Sequence, residues 1–238
     1  GDTIHVAWTP SFSVTDSIVG ISTGSIDPSK PLVLSIKNTI EASDNEDFWS
    51  TYYGGTSAID IINSITTDNE GGIYACGVTG SHNFPVSSSL QLFNLGQTIN
   101  GLDAFLIQFS STGERLWATY YGGSNYFGGS NFSRDVAYDL IVNDTYVYFA
   151  GYTNSGDFPL QNKLNAYFDA YNLPDNSNSI TEYRGFIVKL NHKEKTREWA
   201  TYFGDPNHPD DLVTCIDFTP KGTFVIGGFV SVNNETFP

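Results

Sequence analysis

Trp49-Ser-Thr-Tyr-Tyr-Gly-Gly55 returns as Trp117-Ala-Thr-Tyr-Tyr-Gly-Gly123 and again as Trp199-Ala-Thr-Tyr-Phe-Gly-Asp205. Other markers recur between these copies in a fixed order. Ile73-Tyr-Ala-Cys-Gly-Val-Thr79 is matched by Tyr148-Phe-Ala-Gly-Tyr-Thr153 and Phe224-Val-Ile-Gly-Gly-Phe229. Phe-Pro follows each time, at Phe84-Pro85, Phe158-Pro159 and Phe237-Pro238. Asp103-Ala-Phe-Leu-Ile-Gln-Phe109 is matched by Arg184-Gly-Phe-Ile-Val-Lys-Leu190. An ordered set of recurring markers defines a tandem repeat, which must be recognised before any motif is interpreted.

Each repeat reads as four strands. In the best-marked unit, Asp60 to Thr67 is Ile-rich, and Asp68-Asn-Glu-Gly-Gly72 has hairpin turn chemistry. Ile73–Thr79 and Ala104–Phe109 are the next two strands, and Ser111-Thr-Gly-Glu114 turns the chain into Leu116–Tyr121. Strands with apolar runs rather than strict alternation are expected where both faces of a sheet are covered. The Gly pair after Tyr-Tyr is read as a sharp exit at positive φ. Weaker markers extend the scheme towards the N-terminus, with strands at Ile4–Trp8, Ser17–Thr23, Leu32–Ile36 and Phe48–Tyr53. The predicted units are 1–55, 56–123 and 124–205, with 206–238 the first half of another. Four-stranded units in tandem predict an all-β fold: a β-propeller of antiparallel blades, about three and a half of them. Rings close with about 4–8 blades, so the segment is expected to be part of a larger ring.

Composition narrows the function. Lys and Arg number 11 against 26 Asp and Glu, a formal charge of −15. A chain this acidic repels phosphate backbones, which argues against nucleic-acid partners. Residues Gly71 to Leu102 lack charged side chains but are rich in Ser, Asn, Gln and Gly, and so do not form an apolar membrane span. Met is absent even at position 1, so the sequence is expected to begin after a processing step or inside a longer chain. Cys76 and Cys215 sit in apolar runs and are read as two buried thiols, with a lone disulfide as the alternative.

The Trp-[Ser/Ala]-Thr-Tyr-Tyr-Gly-Gly run, the Gly-x-Thr strand, Phe-Pro and Asp-Ala-Phe together resemble the SBBP repeat, named for a seven-bladed β-propeller. The resemblance covers about 49–238 well and 1–48 loosely. Arg184-Gly185-Phe186 stands where the pattern has Asp-Ala-Phe, and Asp205 where it has the second Gly. The resemblance implies an exported, cell-surface bacterial protein, often of the Bacteroidota, and a possible type IX secretion cargo. It implies an extracellular place and a role in adhesion, scaffolding or partner docking, and it supplies no catalytic residues.

Trp49, Trp117 and Trp199 are read as packing residues between blades, with Gly54, Gly122, Pro85 and Pro159 as structural markers. Of Tyr52/Tyr53 and Tyr120/Tyr121, one of each pair is expected to face solvent. Ser110 to Trp117 resembles both a quinone-propeller docking motif and a sialidase Asp-box, lacks the Asp of either, and reads as a hairpin turn. The acidic runs Asp44–Asp47 and Asp205–Asp211 could hold Ca²⁺, though neither has the spacing of a calcium loop. His5, His82, His192 and His208 form no ligand pattern, and no other cofactor is indicated. Leu160 to Tyr171 has the apolar spacing of a short amphipathic helix. Tyr126, Phe127, Asn131 and Phe132, in a Gly- and Asn-rich loop, are the candidate contacts for a protein or a surface glycan. Further blades or domains of the same longer chain are the other expected partners. The competing reading is a secreted polysaccharide hydrolase or lyase with a carboxylate pair in the central funnel.

Overall fold

The computed structural model describes residues 11–15, 18–22, 51–87, 101–124, 133–170, 183–204 and 210–229. Two compact units divide the chain, 1–48 and 49–238. In the first, β1 (Ser11–Thr15) and β2 (Ile18–Ser22) form an antiparallel hairpin. The expected strand at 17–23 corresponds to β2. The described partner is Ser11–Thr15, while 4–8 and 32–36 lie outside the described residues.

The second unit contains two four-stranded antiparallel sheets, each laid down in chain order. One comprises β3 (Asp60–Thr67), β4 (Ile73–Thr79), β5 (Asp103–Phe109) and β6 (Arg115–Tyr121). The next comprises β7 (Asp135–Val142), β8 (Tyr146–Thr153), β9 (Arg184–Asn191) and β10 (Thr196–Phe203). A third sheet has two described strands, β11 (Leu212–Phe218) and β12 (Phe224–Phe229). These are propeller blades, and all the described regular structure is β. The turns follow from the sequence: Asp68 Oδ1 accepts N–H bonds from Glu70 and Gly72, with Gly71 at φ +81°. Ser110 to Glu114 is likewise a plain turn, with Gly113 at φ +82°.

Apolar layers join the blades. Tyr74, Cys76, Leu106, Trp117 and Tyr121 of the first blade pack on Leu140, Val147, Phe149, Phe186 and Val188 of the second. Ile141, Ile187 and Trp199 of the second pack on Val213, Ile216 and Phe224 of the third. The opposite face of the first blade buries Phe105, Ile107, Ala118 and Tyr120 under Phe84. Both faces of β6 are thus covered, which corrects the expectation for Tyr120 and Tyr121: both are buried. Tyr52 is exposed as expected, but no strand runs through Thr51 to Tyr53.

Each inner strand carries one bulge at an equivalent place, at Asn63, Tyr138 and Thr214. Opposite each bulge stands a glycine of the repeated strand: Gly77, Gly151 and Gly228. A Cβ on any of these would collide with a backbone carbonyl oxygen, of Ile61, Val136 or Leu212. Close approach, rather than conformational freedom, requires glycine there.

The segment after each Phe-Pro returns along the outer strand. Ser87 N donates to Ala118 O, and Gln161 exchanges two 2.9 Å backbone bonds with Ala200. This pairing replaces the helix expected from Leu160. The backbone of 160–170 bonds to the open edge of β10, including Tyr202 N to Asp169 O at 3.1 Å, and Asn165 is left-handed at φ 63°. Leu164 and Tyr167 are exposed while Leu160 and Ala166 pack partly against the core, so the apolar spacing does not form one buried helical face. Covering an outer edge this way removes a template for unwanted strand addition.

Both cysteines are free, but only Cys76 is buried. Cys215 aligns with Ser64, whose hydroxyl reaches the following blade, and no described strand stands beyond the third sheet. Burial also pushes the Cys76 thiol up from its usual range. An aromatic disulfide reagent should therefore modify one thiol rapidly in the native chain and the second only in denaturant. Two fast equivalents in the native state would contradict this packing.

Candidate functional site

The repeat glycines, carboxylates and hydroxyls converge at the blade junctions. Asp60, at the start of β3, accepts bonds from Thr79 Oγ1 at 2.5 Å, Ser81 Oγ at 3.0 Å and Gly55 N at 2.7 Å. Asp135, at the start of β7, repeats the set with Thr153 Oγ1, Ser155 Oγ at 2.9 Å and Gly123 N at 2.9 Å. A carboxylate thus clamps the Gly-Gly exit of one outer strand to the first two strands of the next blade. Asp211 lies buried against Gly204 in the third occurrence. The clamp corrects the reading of the Gly pair: Gly54, Gly55, Gly122 and Gly123 are not at positive φ. They are glycine because a Cβ would strike the Asp carboxylate or the adjoining Ser and loop side chains. Of the described glycines at these strand exits, only Gly204 has positive φ, at +142°.

Asp135 is fully buried, and burial pushes its carboxyl up to about 7 although Thr153, Ser155 and the Gly123 N–H all pull it down. Desolvation raises a carboxyl by disfavouring its charged form. Asp139 supplies another tie, beside the bulge. Its Oδ1 accepts from Ser64 Oγ of the first blade at 2.6 Å and from Leu140 N at 2.9 Å. Its Oδ2 accepts from Ile216 N of the third blade at 2.9 Å. One side chain therefore links three blades.

The Phe-Pro marker has two functions. Phe84 stacks on Phe105 at 4.7 Å, and Phe158 on Phe186 at 4.6 Å. The Pro85 carbonyl accepts from the Tyr53 hydroxyl and from Arg115 Nη1, the latter at 2.7 Å. The Pro159 carbonyl accepts from Tyr121 at 2.7 Å and Arg197 at 3.2 Å. Trp117 and Trp199 are buried between blades, the indole N–H donating to Gln108 Oε1 and to Tyr167 O respectively. Trp49 and the loop candidates Tyr126, Phe127, Asn131 and Phe132 lie outside the described residues. So does most of the acidic loop 205–211, of which Asp210 and Asp211 are described; their N–H groups donate to Tyr183 O. Among the described residues no cluster of His, Cys, Asp or Glu has the arrangement of a metal site.

A cavity of about 280 Å³ opens at the junction of the second and third blades, lined by Tyr148, Lys163, Tyr167, Lys189, Trp199 and Phe224. Lys163 is paired with Glu198 at 2.8 Å, and the Lys189 ammonium lies 3.7 Å from the Tyr146 ring centre. Aromatic walls with ammonium groups favour an anionic or hydrogen-bonding occupant.

Sequence reasoning passed over Asp60, Asp135, Asp139 and Lys189. For the first two a signal existed. An Asp before a branched apolar residue recurs as Asp60-Ile, Asp135-Val and Asp211-Leu, with Thr-x-Ser behind it at Thr79–Ser81 and Thr153–Ser155.

Four-stranded sheets in chain order, tied to one another by carboxylates at the blade junctions, define a β-propeller repeat protein. Residues 49–85 match the SBBP family model, a beta-propeller repeat, and the chain carries that repeat there. The match begins at Trp49 and ends at Pro85, so its phase follows the clamp formed by Gly55, Asp60, Thr79 and Ser81 rather than the limits of one sheet. No curated protein matches the chain. No helix among the described residues is long and apolar enough to cross a membrane.

Proposed function

We propose that this chain is a non-catalytic propeller module of an exported bacterial surface protein, a type IX secretion cargo. It serves adhesion or scaffolding, with a protein or a surface glycan docking on its loops. One observation supports the reading above others: Asp60, Asp135 and Asp139, the acids on the described inner strands with the most hydrogen bonds, each accept three; of the nine, four tie one repeat to another while the other five fix the carboxyl within its own blade. A hydrolase needs a carboxyl pair about 5–9.5 Å apart and open to the sugar, and these groups are committed to the scaffold. The resemblance of the repeat supports the extracellular placement.

The test uses the purified chain against a panel of polysaccharides and on intact bacterial cells. We expect no release of reducing ends, and retention on a glycan or on cells that falls at least about tenfold in Tyr126→Ala/Phe127→Ala with an unchanged melting temperature. Reducing-end release that disappears in Asp139→Asn would overturn the reading in favour of the enzyme. Protease treatment of intact producing cells should remove the chain, and protection from it would refute the surface placement.

A further inference from the structure

The repeat is its own control for which side chains the fold requires. Registering the first two blades on their clamp acids, Asp60 and Asp135, places Tyr152 at the position of Val78 and Tyr183 at that of Leu102. Arg134 falls at the position of Ile59, and Tyr138 is the bulge residue where the first blade has Asn63. The same blade is therefore built once without any of these four side chains. At Leu102 and Tyr183 it is the backbone that joins one blade to the next. Leu102 N donates to Ser133 O and Leu102 O accepts from Asp135 N, while Tyr183 O accepts from Asp210 N at 2.9 Å and Asp211 N at 3.2 Å.

The three tyrosines form a ladder across the second blade. Tyr138 lies 5.7 Å from Tyr152, ring centre to ring centre, and Tyr152 lies 4.7 Å from Tyr183 in an edge-to-face contact. Each is half-buried, and none belongs to the apolar layer of Ile141, Ala150, Ile187, Trp199, Val213 and Ile216 between the second and third blades. Among the described residues their hydroxyls have no hydrogen-bond partner. The Tyr152 hydroxyl is pushed up to about 12, chiefly by burial, with Tyr138 and Tyr183 adding to the rise and Arg134 pulling it down. It therefore remains a donor at neutral pH. Arg134 is exposed and held by its backbone, N to Asn154 Oδ1 at 2.5 Å and O from Asn154 N at 3.0 Å. Its guanidinium pairs with none of the described acids.

We propose that Tyr138, Tyr152, Tyr183 and Arg134 form a binding site for an acidic glycan, the tyrosines taking a sugar ring and the guanidinium its carboxylate. The inference rests on the non-catalytic docking role proposed above, and gives that role a second site and a ligand class. Tyrosine offers an apolar ring face and a polar tip at small entropic cost, which suits a ligand with C–H faces and a rim of hydroxyls. Arginine presents a planar fork that matches a carboxylate. In a chain with 11 cations against 26 acids, an exposed guanidinium without a described partner is one of few places where an anion is attracted rather than repelled. The rings stand on or directly beside strands, so little order has to be imposed on binding. Four side chains offer far less than the roughly 800 Å² that a stable protein interface takes from each partner, which favours a saccharide over a protein.

The full chain is titrated by calorimetry with oligosaccharides of polygalacturonate, alginate and hyaluronate, each beside its carboxyl-reduced, uncharged counterpart. We expect at least one uronate oligomer to bind, about tenfold or more tightly than its reduced form. Arg134→Gln should abolish that preference. Tyr152→Val/Tyr183→Leu, which installs the residues of the first blade, should weaken binding at least about tenfold at an unchanged melting temperature. Arg134→Gln alters an exposed side chain, so its result stands even if the tyrosine pair fails to fold. Equal affinity for charged and reduced forms overturns the acidic ligand. Binding that survives these variants and falls only in Tyr126→Ala/Phe127→Ala overturns the site and leaves the docking role standing. If no uronate oligomer binds, the proposal fails; retention on cells would still uphold the docking role, and release of reducing ends would remove that as well. Retention on cells that needs Tyr152 and Tyr183 but is lost after the cells are treated with protease assigns the ladder to a protein partner and overturns the glycan.

Discussion

Gly151→Ala is expected to lose at least about 3 kcal/mol of stability, the upper end of what overpacking costs, because the backbone around it cannot give way. A methyl group at this position would meet the Val136 carbonyl, Val136 C at 2.9 Å and Ala137 Cα at 3.0 Å, all backbone atoms. Relief would require β7 to move from β8, yet β7 is fixed on both sides. Asn63 Nδ2 donates to Ala137 O at 2.7 Å, and Asp139 holds Ser64 and Ile216 N. For a unit of this size about 2–4 °C of melting temperature is lost per kcal/mol, so a fall near 10 °C is expected. Gly222→Ala is the control: its φ is +77° but its Cβ meets nothing within 4 Å, so only the left-handed strain of about 1–2 kcal/mol applies. Equal melting temperatures for the two variants would show that crowding at the bulge does not require the glycine.

That contrast also marks how far the sequence could be read. The strands and their order were legible because Trp, Gly, Thr and Phe-Pro return in one sequence, and repetition identifies structure without any propensity scale. What each marker does was less legible. Glycine at Gly54 and Gly122 suggested positive φ, whereas its cause is a carboxylate from a residue some way along the chain, beyond a connection whose length differs between repeats. Asp60 and Asp135 are hidden by that same variation. The helix expected from Leu160 failed because apolar spacing records no edge: the free backbone of β10 lies far along the chain and captures Gln161 and Asp169. Cys215 was expected to be buried because its strand is apolar, but burial depends on a neighbouring sheet, which local sequence does not encode. Lys189 becomes informative only when the register places it at the position of Gln108.

The buried clamp makes stability depend on pH. The Asp135 carboxyl is raised from 3.8 to about 7 in the folded chain, chiefly by desolvation. Below about pH 4 folded and unfolded chains both hold the proton, and above about 7 neither does. Between these limits the folded chain keeps a proton that the unfolded chain has released, so unfolding free energy falls as pH rises. The rise in the carboxyl corresponds to about 4 kcal/mol across that window, the full contribution being present at low pH and lost by neutrality. Asp135→Asn keeps the shape and cannot titrate; its carbonyl can face Gly123 N–H while its amide donates to a rotated Thr153 or Ser155 hydroxyl. Urea melts of both proteins from pH 4 to 8 isolate the effect, because the repulsion from the other acids of this −15 chain cancels in the difference. The unaltered chain should lose several kcal/mol relative to Asp135→Asn between pH 4 and 7, then run parallel to it. Parallel profiles throughout would mean that Asp135 is ionised in the fold at every pH tested and that its three donors outweigh its burial.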